Sequence, residues 1–173
     1  MKQKLCLLLV LFALVSCNDD LKITNQRVFF EIHYYNNAWG YSNQAVLIDS
    51  LGNVSAYIIA ENSEWKQPDS TGNISRSDMN SNVALPHSVV NQVAADSLQY
   101  YVNLIDNAAG GKLSEPAYVM ADAGIIQNLA YVYNEESDCY KRIMLYQWGD
   151  VQIENSTPES QVLKAWLARM WKY

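Results

Sequence analysis

From Arg27 onward the side chains alternate. Val28, Phe30, Ile32 and Tyr34 fall on one face of an extended segment, and Phe29, Glu31, His33 and Tyr35 fall on the other. Period two in a run of Val, Phe, Ile and Tyr predicts a strand, because a helix would scatter these residues around its circumference. Asn36-Asn37 closes the run. Residues 45–48 form a second apolar run that stops at Asp49-Ser50-Leu51-Gly52-Asn53, where Gly52 and Asn53 suit the positive φ of a hairpin. Residues 54–60 return. Residues 27–61 thus predict a three-stranded antiparallel meander that must bury at least one face.

The rest of the chain supplies cover for that face. Residues 62–84 are polar and rich in Ser and Asn, and 62–85 reads as one long loop, a length usually reserved for functional segments. Pro86 is tolerated in a first helical turn. Val90, Val93, Ala94, Leu98, Tyr101, Val102 and Ile105 then recur at spacings of three and four, so a helix is expected over 87–107. Strands are expected at 117–121, 125–133, 140–148 and 151–154, with a tight hairpin at Trp148-Gly149-Asp150-Val151. Ser156-Thr157-Pro158-Glu159 has the form of a capping box, with Glu159 reaching back to the cap amide. Val162, Leu163, Trp166, Leu167, Met170 and Trp171 form the stripe of a last helix. The expected fold is α+β. It is a single domain over 27–173, with an antiparallel sheet of about six strands and two helices on one face.

The N-terminus reads as an address. Lys2 and Lys4 precede an apolar run over 5–15, 11 residues long. A membrane-spanning helix needs about 20 such residues, so this run fits a secretory signal instead. It ends in Leu14-Val15-Ser16-Cys17, followed by Asn18-Asp19-Asp20. That sequence resembles the lipobox of bacterial lipoproteins. The resemblance covers residues 1–20 only. It implies a removed signal peptide (1–16), a diacylglyceryl group on the thiol of Cys17, acylation of the new amine, and an acidic tether (17–26). At about 0.8 kcal/mol per buried methylene, two or three chains would hold the protein to a membrane without a spanning helix. The acidic run after the Cys resembles the export signal of surface-displayed lipoproteins in one group of Gram-negative bacteria. It points to the outer membrane, and to its outer face ahead of the periplasm.

Charge and cysteine content agree with that address. Lys and Arg number 12 against 18 Asp and Glu; losing Lys2 and Lys4 takes the net charge from −6 to −8. Such a domain is repelled by an anionic leaflet and lacks the cationic footprint that duplex nucleic acid requires. Cys6 leaves with the signal and Cys17 carries lipid, so Cys139 is left without an intramolecular partner.

Motifs of chemistry are sparse. Glu31 and His33 share a strand face, but His87 is the only other His, and metal sites usually need three or four ligands. The pair is expected to face solvent. Cys139 lies beside Asp138 and just after Glu135-Glu136, where negative charge disfavours a thiolate, so it reads as a strand residue rather than a nucleophile. Serine-hydrolase boxes, phosphate loops and dinucleotide fingerprints are missing. No catalytic residue, metal or cofactor is expected. The remaining signal is aromatic. Trp39 and Tyr41 sit in a strand connection and Trp65 in the long polar loop, positions that suit sugar stacking or a protein hot spot. The expected function is a lipid-anchored, non-enzymatic binding module for a protein or glycan, with a small envelope hydrolase on glycan or peptidoglycan as the alternative.

Overall fold

The computed structural model describes residues 25–171; the expected signal peptide, Cys17 and most of the expected tether lie outside the described residues. The fold is α+β, and all paired strands are antiparallel. The strands are β1 (Val28–Asn36), β2 (Ser42–Asp49), β3 (Asn53–Ile58), β4 (Asn73–Ser75), β5 (Ser88–Gln92), β6 (Ala117–Tyr118), β7 (Ile125–Asn134), β8 (Cys139–Gly149) and β9 (Val151–Glu154). The helical segments are α1 (Arg76–Ala84), α2 (Ala95–Val102), α3 (Ile105–Ala109) and α4 (Pro158–Leu167). The sheet runs β5-β3-β2-β1-β7-β8-β9-β6, and β4 also pairs with β8.

Both faces of this sheet are buried. Phe30, Ile32, Val46, Ile48, Val54 and Leu145 pack against Leu98 of α2, Ile105 and Ala108 of α3, and Leu163, Trp166 and Leu167 of α4. Ala45, Leu47, Tyr57, Tyr131, Tyr133 and Tyr140 pack on the opposite side against Ile74 of β4 and Met79 and Val83 of α1. A register shift between Val28 and Phe30 breaks the alternation at the start of β1. Val28 therefore joins the second cluster and Phe29 the first, unlike the strict two-face assignment made from sequence. A bulge inserts one residue and so reverses the facing of everything on its far side.

The expected 62–85 loop is a folded cover. It holds β4 and α1. Ser75 caps α1 by accepting from the amide of Asp78, and buried Asn82 clamps the backbone of Lys66. The Asn82 Oδ1 accepts from the Lys66 amide at 2.7 Å, and its Nδ2 donates to the Lys66 carbonyl at 2.8 Å. The turn before β4 repeats the one before β3. Asp49-Ser50-Leu51-Gly52-Asn53 and Asp69-Ser70-Thr71-Gly72-Asn73 both place the Asp Oδ1 on the amides two and four residues later, at 2.8–2.9 Å. Gly52 and Gly72 take φ of +81° and +82°, the left-handed geometry that closes a three-residue hairpin loop. Asp69 is fully exposed; bonds from Thr71 and Asn73 hold its carboxyl below the usual range.

Three further expectations are corrected. The helix expected over 87–107 is β5 followed by α2 and α3. Val89 and Val90 lie in an edge strand paired to β3, and Pro86 precedes that strand rather than a helix. Among the described residues the sheet has nine strands rather than about six, and the unexpected α1 covers the side opposite α2–α3 and α4, which share one face as expected. At α4 the cap is Thr157, whose side chain accepts from the amide of Ser160. Ser160, not Glu159, is the third helical residue, and Glu159 instead accepts from Asn107 at 3.4 Å.

Candidate functional site

On the α1 side of the sheet, β1 carries a charged pair that the core encloses. Glu31 and His33 are buried, contrary to the solvent-facing positions expected from alternation. They stay on that face of the sheet, but β4, α1 and residues 65–68 close over it. Glu31 Oε1 lies 2.6 Å from His33 Nδ1, and His33 Nε2 lies 2.7 Å from Asn43 Oδ1. The Asn43 Nδ2 donates to the Tyr41 hydroxyl at 3.1 Å, which orients its Oδ1 toward the imidazole. Both ring nitrogens thus face side-chain oxygens, an arrangement that favours the protonated ring. The Tyr131 hydroxyl donates to the second oxygen of Glu31.

Electrostatics follows from these contacts. Burial is the largest influence on His33 and lowers its pKa. The hydrogen bond and charge of Glu31, with the bond to Asn43, outweigh burial and Arg142, so the pKa stands above its ordinary value of 6.5. Burial, then the charge of Glu31, pushes the Tyr131 phenol well above 10, so it remains a donor. Burial likewise pushes Tyr57 up to about 12.

Two adjoining spaces open beside this network. An enclosed one of about 10 Å³ is lined by Glu31, His33, Trp65, Lys66, Gln127 and Arg142, among others. A more open cleft of about 190 Å³ is lined by His33, Tyr35, Gln67, Ile125 and Gln127. The two share His33, Gln67 and Gln127. A third groove, about 610 Å³, lies at the β3 edge between Pro86, His87 and Trp171.

The three aromatic candidates separate. Trp65 folds back as a lid, with its ring edge-on to His33 at 5.9 Å and to Tyr57 at 5.5 Å. Trp39 is 83% exposed in the β1–β2 connection, and Tyr41 is exposed with its ring edge-on to Tyr35 at 6.1 Å. Sequence reasoning missed the other members of this end of the sheet. Tyr35 pairs with Ile125 and Ile125 with Gly149, next to Trp148; Val151 pairs with Tyr118. The antiparallel register therefore brings Tyr35, Trp39, Tyr41, Trp148 and Tyr118 to one end of the sheet, all of them exposed. Registers of this kind join residues some 80 positions apart and leave no local trace in sequence.

Cys139 opens β8 and is partly buried. His87 is exposed; its Nδ1 lies 2.9 Å from the Leu85 carbonyl, and it stands apart from the Glu31–His33 pair. Among the described residues, no group of three or more His, Cys, Asp or Glu could hold a metal ion, and no helix is long and apolar enough to cross a membrane. Comparison with family models, curated proteins and solved structures found no match to this chain.

Proposed function

We propose that the protein is a lipoprotein of the Gram-negative outer membrane, anchored through lipid on Cys17, that captures a protein or glycan on the aromatic end of its sheet. One observation carries the binding reading. Five exposed aromatic side chains from three separate segments, Trp39 and Tyr118 at 83% and 89% exposure among them, lie at a single end of the sheet. Rings of this size are left in water where they serve as flat, adaptable contact surfaces. The lipobox resemblance and the acidic tether support the anchor and display on the outer face.

The aromatic set divides by expected effect. Trp39→Ala with Tyr41→Ala should reduce capture by about thirtyfold, the loss of about 2 kcal/mol typical of a hot-spot aromatic. The melting temperature should fall by about 4 °C or less, most of it from the lost bond between buried Asn43 and the Tyr41 hydroxyl. Trp65→Ala should do the opposite. It removes two edge-on ring contacts over the buried pair and should cost about 2 kcal/mol, or about 4–8 °C. A glycan array and thermal melts of the three proteins check both. Unchanged capture by the Trp39/Tyr41 variant would sink the aromatic-end reading.

The anchor has its own test. Cells fed labelled palmitate should label the wild-type protein and leave Cys17→Ala unlabelled, and protease added to intact cells should remove the wild-type domain while a periplasmic control survives. Equal labelling of Cys17→Ala would remove the lipoprotein reading.

A further inference from the structure

Arg142 lies on β8 directly across from Tyr131 and lines the enclosed space under residues 66–68. It is partly buried. Its backbone amide donates to the Gly72 carbonyl. Its guanidinium makes no hydrogen bond and no ion pair with any described residue. Each oxygen of Glu31 already accepts one hydrogen bond, from His33 at 2.6 Å and from Tyr131, and the guanidinium makes no hydrogen bond or ion pair to either. Lys66 lines the same space and has no ion pair among the described residues either. Glu31 is paired with His33. The walls therefore carry two basic side chains, partly buried Arg142 and exposed Lys66, that have no ion-pair partner among the described residues, in a chain whose formal net charge is −6.

A guanidinium drawn partly out of water without a partner is costly to maintain. Its N–H groups make strong, charge-assisted bonds to an anionic oxygen. The surroundings narrow the ligand further. The enclosed space, about 10 Å³, has room for about one water-sized group such as a carboxylate oxygen. From it, Gln67 and Gln127 lead into the open cleft. Gln127 spends its Nε2 on Gln147 at 2.7 Å, which leaves its Oε1 to accept from a ligand hydroxyl. Tyr35 and Ile125 give the cleft an apolar flank. At about 190 Å³ it is smaller than the roughly 300–1,000 Å³ of drug-sized sites and suits a single ring.

We infer that the cleft between residues 66–68 and strands β7–β8 binds a sugar acid, with its carboxylate on Arg142 and Lys66, its hydroxyls on Gln67 and Gln127, and its ring against Tyr35 and Ile125. A bare phosphate or sulfate would satisfy Arg142 but would leave the amides and the apolar flank unused. The inference rests on the reading that this end of the sheet is a binding end, and it names the class of ligand.

Titration calorimetry on the full-length protein in detergent micelles tests it. The probes are glucuronate and galacturonate, free and at the end of a short oligosaccharide, with galactose and sulfate as controls. Sugar acids should bind at least about tenfold more tightly than galactose or sulfate. Stronger binding of the oligosaccharide form would mark a glycan as the source, and equal binding a free acid. Arg142→Gln should weaken binding by about tenfold to a hundredfold, and Arg142→Lys, which keeps the charge without the fork, should fall between. Gln127→Ala gives a second variant should Arg142→Gln fail to fold. It should weaken sugar acids and leave sulfate unchanged. No binding of any sugar acid, sulfate binding as tightly, or wild-type affinity in Arg142→Gln would overturn the inference. If the Trp39/Tyr41 variant loses glycan capture while sugar acids do not bind, this inference alone fails. If that variant keeps capture while sugar acids bind through Arg142, only the aromatic reading fails.

Discussion

Glu31→Gln should remove about 3–5 kcal/mol of stability, the cost of breaking a buried pair by removing one partner. That is a large share of the roughly 5–15 kcal/mol that holds a domain together. It should also reverse the pH dependence of what remains. In the wild type, the folded state raises the pKa of His33 above the 6.5 of an unfolded chain. The folded protein therefore holds that proton more tightly than the unfolded one. The resulting stability is fully present below pH 6.5 and is lost as pH rises through the folded-state value. Without the carboxylate, burial of His33 is no longer outweighed, Arg142 adds to it, and the folded-state pKa falls below 6.5. The term then changes sign, and stability is lost as pH falls through 6.5. Urea midpoints across pH 5.5–9 in wild type, Glu31→Gln and His33→Gln measure this. His33→Gln, which has no imidazole at this position, should flatten the slope. Parallel pH profiles in all three proteins would mean that the pair is not an ion pair in solution.

The buried pair also shows where sequence stopped being informative. Alternation along β1 correctly separated Glu31 and His33 from Ile32 and Tyr34. It could not say whether the second face was covered. The cover is β4, α1 and the segment around Trp65, and this stretch was read as a polar loop. The two errors are therefore one. The sequence of α1, RSDMNSNVA, offers only Met79 and Val83 as large apolar positions, too few to form a stripe. It is held by a Ser75 cap and by Asn82 gripping the Lys66 backbone, contacts that no hydrophobic period reports. The meander β1–β3, the pair β7–β8 and the stripe of α4 were legible because each repeats a clear period over eight or more residues or ends at a Gly-containing turn. β5 was lost for the opposite reason. Val90 and Val93 extended the genuine helical spacing of Leu98 and Val102 backwards, and the ladder to β3 decided otherwise.

The candidate site was half legible for the same physical reason. Trp39 and Tyr41 could be picked because a large ring in a polar connection is locally conspicuous. Tyr118 and Trp148 join them only through the register of β6 with β9 and of β7 with β8. Arg142 lies across from Tyr131 and lines the same enclosed space as His33 only once β1, β7 and β8 are side by side. Charge that lies 109 residues away in sequence becomes a neighbour only when the sheet is assembled.

On the other face, Trp166→Ala should be at least as damaging as the loss of Glu31. Trp166 is 3% exposed and joins three elements. Its ring meets Phe30 of β1 edge-on at 4.9 Å and stacks on Tyr101 of α2 at 4.0 Å, nearly parallel. Tyr101 is held in turn by Arg169, which donates to its hydroxyl at 3.3 Å. Removing a buried Trp leaves a cavity between sheet and helices and costs about 3–5 kcal/mol. The stack can be separated from the burial by a cycle of Trp166→Ala, Tyr101→Ala and the double variant. A coupling of about 0.5–1.5 kcal/mol is expected for the aromatic pair. The loss should be independent of pH between 5.5 and 9, because among the described residues no titratable group lies within the stack except the Tyr101 phenol. Glu31→Gln, in contrast, changes its pH slope. Chemical denaturation of both variants over the same pH range therefore tells the two faces of the sheet apart. A loss below about 1 kcal/mol for Trp166→Ala would mean that α4 does not pin α2 to the sheet, and that the burial on this face is carried by Leu163 and Leu167 alone.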